Sequence, residues 1–123
     1  MNDFITNKIK LNEMARAFQT LAERGLSVGE KKDEYWTNRA ALAESAANRI
    51  HEIDSRSKDD KTILSINILG FAATALELRE ALIGHEEREF WQDMRSFCSD
   101  LADEIIDSIP AQASVPRSPQ AVY

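Results

Sequence analysis

The sequence predicts an all-α protein: a four-helix up-down bundle followed by a flexible C-terminal tail. Along four segments, apolar residues recur at steps of three and four, which is the period of an amphipathic helix. The 123 residues include only four glycines and three prolines, and so few breakers disfavour a many-turned β architecture. Hydrophobic residues make up 43% of the chain, enough for one domain of this length to build a core without disulfides or metals.

The first predicted helix runs from about Asp3 to Arg24. Gly25 follows as its stop, because glycine adopts the left-handed conformation at little cost, and Leu26 is then placed to pack back on the last turn. The apolar residues that share one face of this helix are Phe4, Leu11, Met14, Phe18, Leu21 and Ala22.

The second predicted helix runs from about Glu30 to Asp54. Its many alanines favour helix formation and let a neighbouring helix approach closely. The residues predicted to face inward are Tyr35, Arg39 (with its aliphatic part), Leu42, Ala43, Ala46, Ile50 and Ile53.

The third predicted helix, from about Lys61 to Ile83, is the most apolar segment, and Asp59 or Asp60 is placed to cap its start. A first apolar stripe consists of Leu64, Ile68, Phe71, Ala75, Leu78 and Leu82. A second, adjacent stripe consists of Ile66, Leu69, Ala73, Leu76 and Ile83. A helix that is apolar around most of its girth lies at the centre of a fold or has partners on two sides.

The fourth predicted helix runs from about Glu86 to Ser108. Its stripe consists of Phe90, Met94, Phe97, Leu101 and Ile105, widened by Trp91, Cys98 and Ile109. Residues 1–109 therefore form the helical domain, and residues 110–123, which contain three prolines, form the tail. Short loops between long helices favour antiparallel neighbours. The alternative architecture is a set of helical hairpins that complete their core by dimerisation.

Charge and composition exclude several classes of partner. The net charge of −6 repels phosphates, and no segment gathers Lys and Arg, so we expect no nucleic-acid partner. The uncharged run from Thr62 to Leu76 is shorter than the roughly 20 residues that span a bilayer, so we expect no membrane partner. The first residues lack a basic stretch followed by an apolar one, and we expect a cytoplasmic location.

No constellation of residues predicts chemistry. His51 lies near Glu52 and Asp54, and His85 lies near Glu86 and Glu89. Each cluster offers two ligands where a zinc site needs three or four, so we expect no metal and no cofactor. The acids beside His51 also disfavour a phosphotransfer role. Cys98 falls on an apolar helix face without a neighbouring cation, which indicates a buried residue rather than a nucleophile. No catalytic motif occurs, and we expect no enzyme.

These observations favour a non-enzymatic helical protein–protein interaction module: a small bacterial or phage-type regulator, inhibitor or adaptor. Its partner is another protein, in the simplest case a second copy that forms a homodimer through the third helix. An exposed tryptophan is a good anchor for a partner, although the more common role of such a ring is to cover the rim of the core. The candidate partner-binding residues are Trp36, Ile66, Leu69, Ala73, Leu76 and Trp91.

Two alternatives stay open. The first is a ligand- or cofactor-binding bundle, or an enzyme, whose site lies between helices; Asn67 or Thr74 pointing into an internal cavity would favour it. The second is an acidic inhibitor or mimic that acts on a nucleic-acid-binding protein. It requires one merged surface patch made of Asp54, Asp59, Asp60, Glu86, Glu87 and Glu89.

Overall fold

The structure, a computed structural model, describes residues 4–50 and 57–109. Within these ranges the chain forms four α-helices: α1 (Phe4–Arg24), α2 (Asp33–Arg49), α3 (Lys58–Ala81) and α4 (His85–Asp107). The all-α prediction is confirmed, and each helix lies where the hydrophobic period places it. The predictions for the side chains of Phe4, His51, Ile53 and Asp54, and for the tail at 110–123, fall outside the described residues.

The end of α1 follows the sequence prediction. Gly25 adopts a φ of 68°, its N–H donates to the Ala22 carbonyl, and the Leu26 N–H donates to the Leu21 carbonyl, both at 3.1 Å. This pair of bonds is a Schellman motif, which satisfies carbonyls that the helix end would otherwise leave unpaired. Leu26 packs against the core, as expected.

Two predicted helix starts are wrong by about three residues. Helix α2 begins at Asp33 rather than near Glu30, because residues 28–31 form a tight turn in which the backbones of Val28 and Lys31 exchange hydrogen bonds of 3.0 and 3.1 Å. Helix α3 begins at Lys58 rather than near Lys61, because its cap is Ser57 and neither Asp59 nor Asp60. The Ser57 hydroxyl accepts a hydrogen bond from the Asp60 N–H at 3.1 Å, which satisfies a first-turn donor.

The helices pack as an up-down bundle. Helix α1 lies along α2 and α3 lies along α4, while α2 borders α3 and α1 borders α4. Helices α1 and α3 are therefore diagonal. The centre of the bundle receives one large aromatic ring from each helix: Phe18, Trp36, Phe71 and Trp91. The ring centroid of Phe18 lies 6.3 Å from that of Trp36, 6.3 Å from that of Phe71 and 5.2 Å from that of Trp91.

The inward face of α2 matches the prediction at Ala43, Ala46 and Ile50 and differs from it at Leu42 and Trp36. Trp36 is 0% exposed, whereas Leu42, which we expected to face inward, is 40% exposed. The indole ring stacks on Phe18 at an interplanar angle of 11°, and its Nε1 donates to the Leu26 carbonyl at 2.9 Å. Burial of this large ring turns the helix, so that the buried face becomes Trp36, Ala40, Ala43, Ala46, Ala47 and Ile50. Tyr35 and Arg39 are half-buried at its edge.

The prediction for α3 is confirmed on its packed side. Every residue of the first stripe is buried (Leu64, Ile68, Phe71, Ala75, Leu78 and Leu82). Lys61 is buried as well, and its Nζ donates to the Ser108 carbonyl at 3.4 Å, near the C-terminal end of α4. The second stripe points away from the core, and it is the part of the fold that bears on function.

Candidate interaction surface

The titratable side chains that the structure describes form no metal-binding cluster. Among residues 4–50 and 57–109, no group of three or more His, Cys, Asp or Glu side chains could hold a metal ion. His85 is exposed at the start of α4, and its Nε2 lies 3.5 Å from the Glu89 carboxylate. Such an exposed pair is an ordinary helix-surface interaction between residues four apart.

Cys98 is buried in the core, as its position on the apolar face of α4 predicts. Its Sγ lies 3.8 Å from the Met14 Sδ. Burial raises the pKa of the thiol from an ordinary value of 9.0 to about 12, because the thiolate would lose its hydration. The thiolate is the nucleophilic form, so this side chain is unreactive at neutral pH.

The acids proposed for a mimic patch, where the structure describes them, fall into two separate groups. Asp59 and Asp60 lie in the first turn of α3, whereas Glu86 and Glu87 lie in the first turn of α4. Because α3 and α4 are antiparallel, these groups sit at opposite ends of the bundle, about 30 Å apart at 1.5 Å per helical residue. Glu87 is also paired with Arg24 at 2.5 Å. These proposed acids, within the described residues, therefore do not merge into the single patch that the mimic hypothesis specified.

The two tryptophans lie in the core. Trp36 is 0% exposed and Trp91 is 2% exposed. The sequence offered them as exposed partner anchors, and that exposure is absent, because each ring fills the space between helices around Phe18. The sequence alone did not show which way each tryptophan points, because each has another aromatic residue next to it and only one of the two can point fully inward. In each pair the tryptophan points inward while the neighbouring Tyr35 or Phe90 is half-buried.

The other four candidate residues lie together on the side of α3 that faces away from the core. Ile66 is 61% exposed and Leu69 is 42% exposed, Ala73 is exposed and Leu76 is half-buried. Ile63, which the sequence analysis assigned to neither stripe, is 52% exposed on the same side. The spacing of three residues between Ile63 and Ile66 could have shown from the sequence that both lie on this side of α3. We call Ile63, Ile66, Leu69 and Ala73 the outer α3 face.

This face extends toward α2. The Tyr35 hydroxyl lies 3.1 Å from the Thr74 Oγ1, and a Cβ added at Gly70 would lie 3.2 Å from the Arg39 Nη1. For antiparallel helices these two pairs set the register, which places Leu42 of α2 opposite Asn67, one turn from Ile63. Leu42 is thus an apolar border of the outer α3 face, and the sequence analysis missed this role by assigning it to the core.

Toward α4 the face borders a surface groove of about 430 Å³. Small side chains of α3 open this groove, and polar side chains of α4 line its other wall. The lining residues are Ala72, Ala73, Leu76, Arg95, Ser96, Ser99 and Asp100. The outer α3 face is therefore an apolar strip with a polar margin, which is the usual layout of a protein–protein contact.

Of the two polar residues that could mark an internal ligand site, Asn67 is half-buried and Thr74 is already hydrogen-bonded. Thr74 is 3% exposed, and its hydroxyl donates to the Gly70 carbonyl at 3.0 Å while contacting Tyr35. Two further surface grooves, of about 570 and 310 Å³, lie between α1 and α2 and between α1 and α4. Thr74 lines neither of them, nor the groove beside α4.

Helix α3 is also the one helix in the described ranges that is long and apolar enough to cross a membrane, judged by length and composition alone. In its most apolar stretch 44% is buried. The core helix of a bundle meets the same criteria, and α3 packs closely along α4.

In comparisons with known proteins, no family model, no curated protein and no solved structure gives a significant match to this chain.

Proposed function

We propose that the protein is a non-enzymatic helical interaction module, a regulator, inhibitor or adaptor that docks on another protein through the outer α3 face. The observation that carries the proposal is the exposure of Ile63, Ile66 and Leu69 on one side of a helix whose opposite side is fully packed. Exposed aliphatic residues scattered singly are normal, but a contiguous apolar strip marks an interaction surface.

The size of the strip supports a contact of modest area. With Leu42 included, the exposed fractions of 52%, 61%, 42% and 40% equal roughly two whole aliphatic side chains. At about 30 Å² per methylene, that is on the order of 250 Å² of apolar surface. This area suits the centre of an interface whose rim is polar, and the groove beside α4 supplies such a rim.

The absence of charge on this side of α3 also supports docking. Lys, Arg, Asp and Glu do not occur between Thr62 and Leu76, although Ile66 and Ala73 point to solvent. A solvent-facing helix surface normally carries charged residues, because they keep the chain soluble and lose little by exposure. A partner that covers this face would remove the free-energy cost of exposing its apolar side chains to water.

The test compares two identical substitutions on opposite sides of the bundle. Ile66→Glu introduces a charge at the centre of the outer α3 face. Ile9→Glu introduces the same charge on the diagonal helix α1, where Ile9 is 57% exposed against 61% for Ile66. Both variants should keep the helical content and the melting temperature of the native chain to within a few degrees, since neither side chain belongs to the core.

The immobilised native chain and the two variants are then exposed to extract from the native cell, and the retained proteins are compared. We expect the native chain and Ile9→Glu to retain the same proteins, and Ile66→Glu to lose them. Equal retention by all three chains would contradict the proposal, as would a protein retained by Ile66→Glu alone.

A further inference from the structure

Arg39 is a half-buried cation in the seam between α2 and α3. Its guanidinium carbon lies 5.1 Å from the ring centroid of Tyr35 and 6.0 Å from that of Phe71. Ring faces attract a cation within about 6 Å, and two rings restrict where the guanidinium can point. The Arg39 head group is therefore held in place before any ligand binds.

Arg39 lies in a part of the seam that has no acidic residue. Helix α3 carries no charged residue from Thr62 to Leu76. On α2 the nearest acids, Glu34 and Glu44, are each five residues from Arg39, which turns them about 140° away around the helix, and Glu44 lines the groove between α1 and α2. Among the residues that the structure describes, Arg39 forms no ion pair with a carboxylate.

The acids at the two ends of the seam lie away from Arg39. Measured from Gly70, which faces Arg39, Asp60 lies roughly 15 Å before it and Glu77 roughly 10 Å after it along α3. The Glu77 carboxylate lies 3.0 Å from the Lys31 Nζ, so its charge is already balanced. A half-buried charge without a counterion is unfavourable, and the two rings offset only part of that cost. An anion that binds Arg39 would remove the remainder.

The donors of Arg39 are open to a ligand. In the described residues, the one buried side-chain nitrogen or oxygen without a hydrogen-bond partner belongs to Arg49, so the partnerless nitrogens of Arg39 reach solvent. Gly70 lies beneath them, and a Cβ added there would be only 3.2 Å from the Arg39 Nη1. The missing side chain at Gly70 therefore leaves the head group its position. Asn67, half-buried one turn earlier on α3, can add an amide N–H.

We infer that Arg39 anchors a binding site for a carboxylate in the α2–α3 seam. A guanidinium presents two parallel N–H groups that match the two oxygens of a carboxylate. Leu42, one turn after Arg39 on α2 and 40% exposed, gives an apolar body attached to that carboxylate a surface on which to pack. The ligand is therefore an organic acid group with a small apolar body. A phosphate carries more charge than Arg39 alone balances.

Titration of the native chain, followed by nuclear magnetic resonance, tests the site. Three probes share one apolar body and differ in charge: hexanoate, hexanol and hexylammonium. Inorganic phosphate is the fourth probe. The Arg39 Nε–H signal, identified by its loss in Arg39→Gln, should shift with hexanoate and saturate on the order of 1 to 10 mM, while hexanol and hexylammonium leave it unshifted. No shift with hexanoate, an equal shift with all three of these probes, or tighter binding of phosphate overturns the inference.

Three variants, followed through the Leu42 backbone amide, show whether Arg39 itself holds the carboxylate. Arg39→Gln should weaken hexanoate binding by about tenfold or more, because a hydrogen bond between charged groups is lost. Arg16→Gln, at an exposed arginine of α1, is the matched control and should bind as the native chain does. Gly70→Ala should displace the Arg39 Nη1 and weaken binding while it raises the melting temperature, which a loss of fold could not do. Unchanged binding in Arg39→Gln, or an equal loss in Arg16→Gln, overturns the inference.

Free organic acids and the glutamate side chain of a bound peptide offer the same chemistry, and a peptide probe separates these two sources. If acetyl-Leu-Glu-Leu-amide binds at Arg39 more tightly than hexanoate, the carboxylate is that of a protein. If it binds more weakly, the carboxylate is that of a free organic acid. Both results support the site.

The site lies in the seam and not on the outer α3 face, so this inference goes beyond the proposed function and does not depend on it. Hexanoate binding in a chain that captures no protein through the outer α3 face supports the site and overturns the proposed function. Capture through that face without hexanoate binding does the reverse.

Discussion

Replacement of Trp36 by phenylalanine tests the central packing of the bundle most directly. The indole is 0% exposed, and its Nε1 donates to the Leu26 carbonyl at 2.9 Å. Phenylalanine removes this hydrogen bond, worth about 1 kcal/mol net. It also leaves part of the indole volume empty, at a cost of about 1 to 3 kcal/mol. The free energy of unfolding should fall by about 2 to 4 kcal/mol.

The assay is urea unfolding followed by circular dichroism, with thermal unfolding alongside. For a domain of this size, each kcal/mol lowers the melting temperature by about 4 °C, so Trp36→Phe should lower it by about 8 to 16 °C. The denaturant slope should not change, because the surface exposed on unfolding is nearly the same. Leu42→Ala is the control on the same helix, and since Leu42 is 40% exposed it should cost less than about 1 kcal/mol.

A Trp36→Phe variant within about 0.5 kcal/mol of the native chain would refute this reasoning. It would mean that the ring does not pack between the helices as described. The role of Trp36 as a surface anchor for a partner, which the sequence analysis raised, would then regain its basis. If the variant instead loses stability while Ile66→Glu does not, the core and the outer α3 face are separated experimentally.

Three other substitutions have defined outcomes. Burial raises the pKa of the Cys98 thiol to about 12, so the stabilising contribution of its proton is complete below pH 9 and is lost as the pH rises toward 12. The stability advantage of the native chain over Cys98→Ala should therefore fall by about 1.4 kcal/mol per pH unit in that window, measured by urea unfolding. Gly70→Ala should raise the melting temperature by a few degrees, since helix propensity favours alanine by about 1 kcal/mol and only the Arg39 end must move. Lys61→Met should cost about 0.5 to 1 kcal/mol at low salt and less at high salt in thermal unfolding, because its Nζ donates to the Ser108 carbonyl at the end of α4, where a cation is favoured.

The sequence predicted the helices well where large apolar residues fall on one face. In α1 and on the packed side of α3, Leu, Met and Phe side chains leave one direction for the core. In α2 the direction was ambiguous, because alanines surround most of the helix and contribute little apolar area. The choice between Leu42 and Trp36 then depended on which single large side chain fits the centre. That fit depends on Phe18 and Trp91, which belong to other helices.

Helix starts were harder to predict because several residues could serve as the cap. Ser57, Asp59 and Asp60 all have side chains that accept a hydrogen bond from a first-turn N–H. The cap is the residue whose backbone is still extended where the helix begins. That residue is Ser57, with φ −68° and ψ 165°. In the same way, backbone geometry sets the start of α2. Gly29 adopts a φ of 61° in the turn before the helix, so α2 begins at Asp33 and not near Glu30.

The sequence predicted that α3 has an apolar interaction surface, but it did not predict which residues of that surface are exposed. The second stripe showed that α3 carries more apolar residues than one neighbour needs. It could not show which of them the other helices cover, because that depends on the rotation of α2 and α4 about α3. Leu76 is half-buried in the groove beside α4, whereas Ile63 remains open to solvent. The packing of the bundle, rather than the period of α3 itself, defines the outer α3 face.

The composition of the outer α3 face is consistent with the proposed docking role, because its apolar residues contribute little to the stability of one chain. Ile63 and Ile66 are β-branched, and β-branched residues lose side-chain freedom in a helix and favour it less than Lys or Glu would. At more than half exposure, they recover only part of that cost through burial. The hydroxyl of Thr62, on the margin of the face, donates to the Lys58 carbonyl of its own helix at 2.9 Å. A partner can therefore cover this hydroxyl without leaving an unpaired donor. A face that is unfavourable for the single chain yet ready to be dehydrated is the expected state of a docking surface before its partner binds.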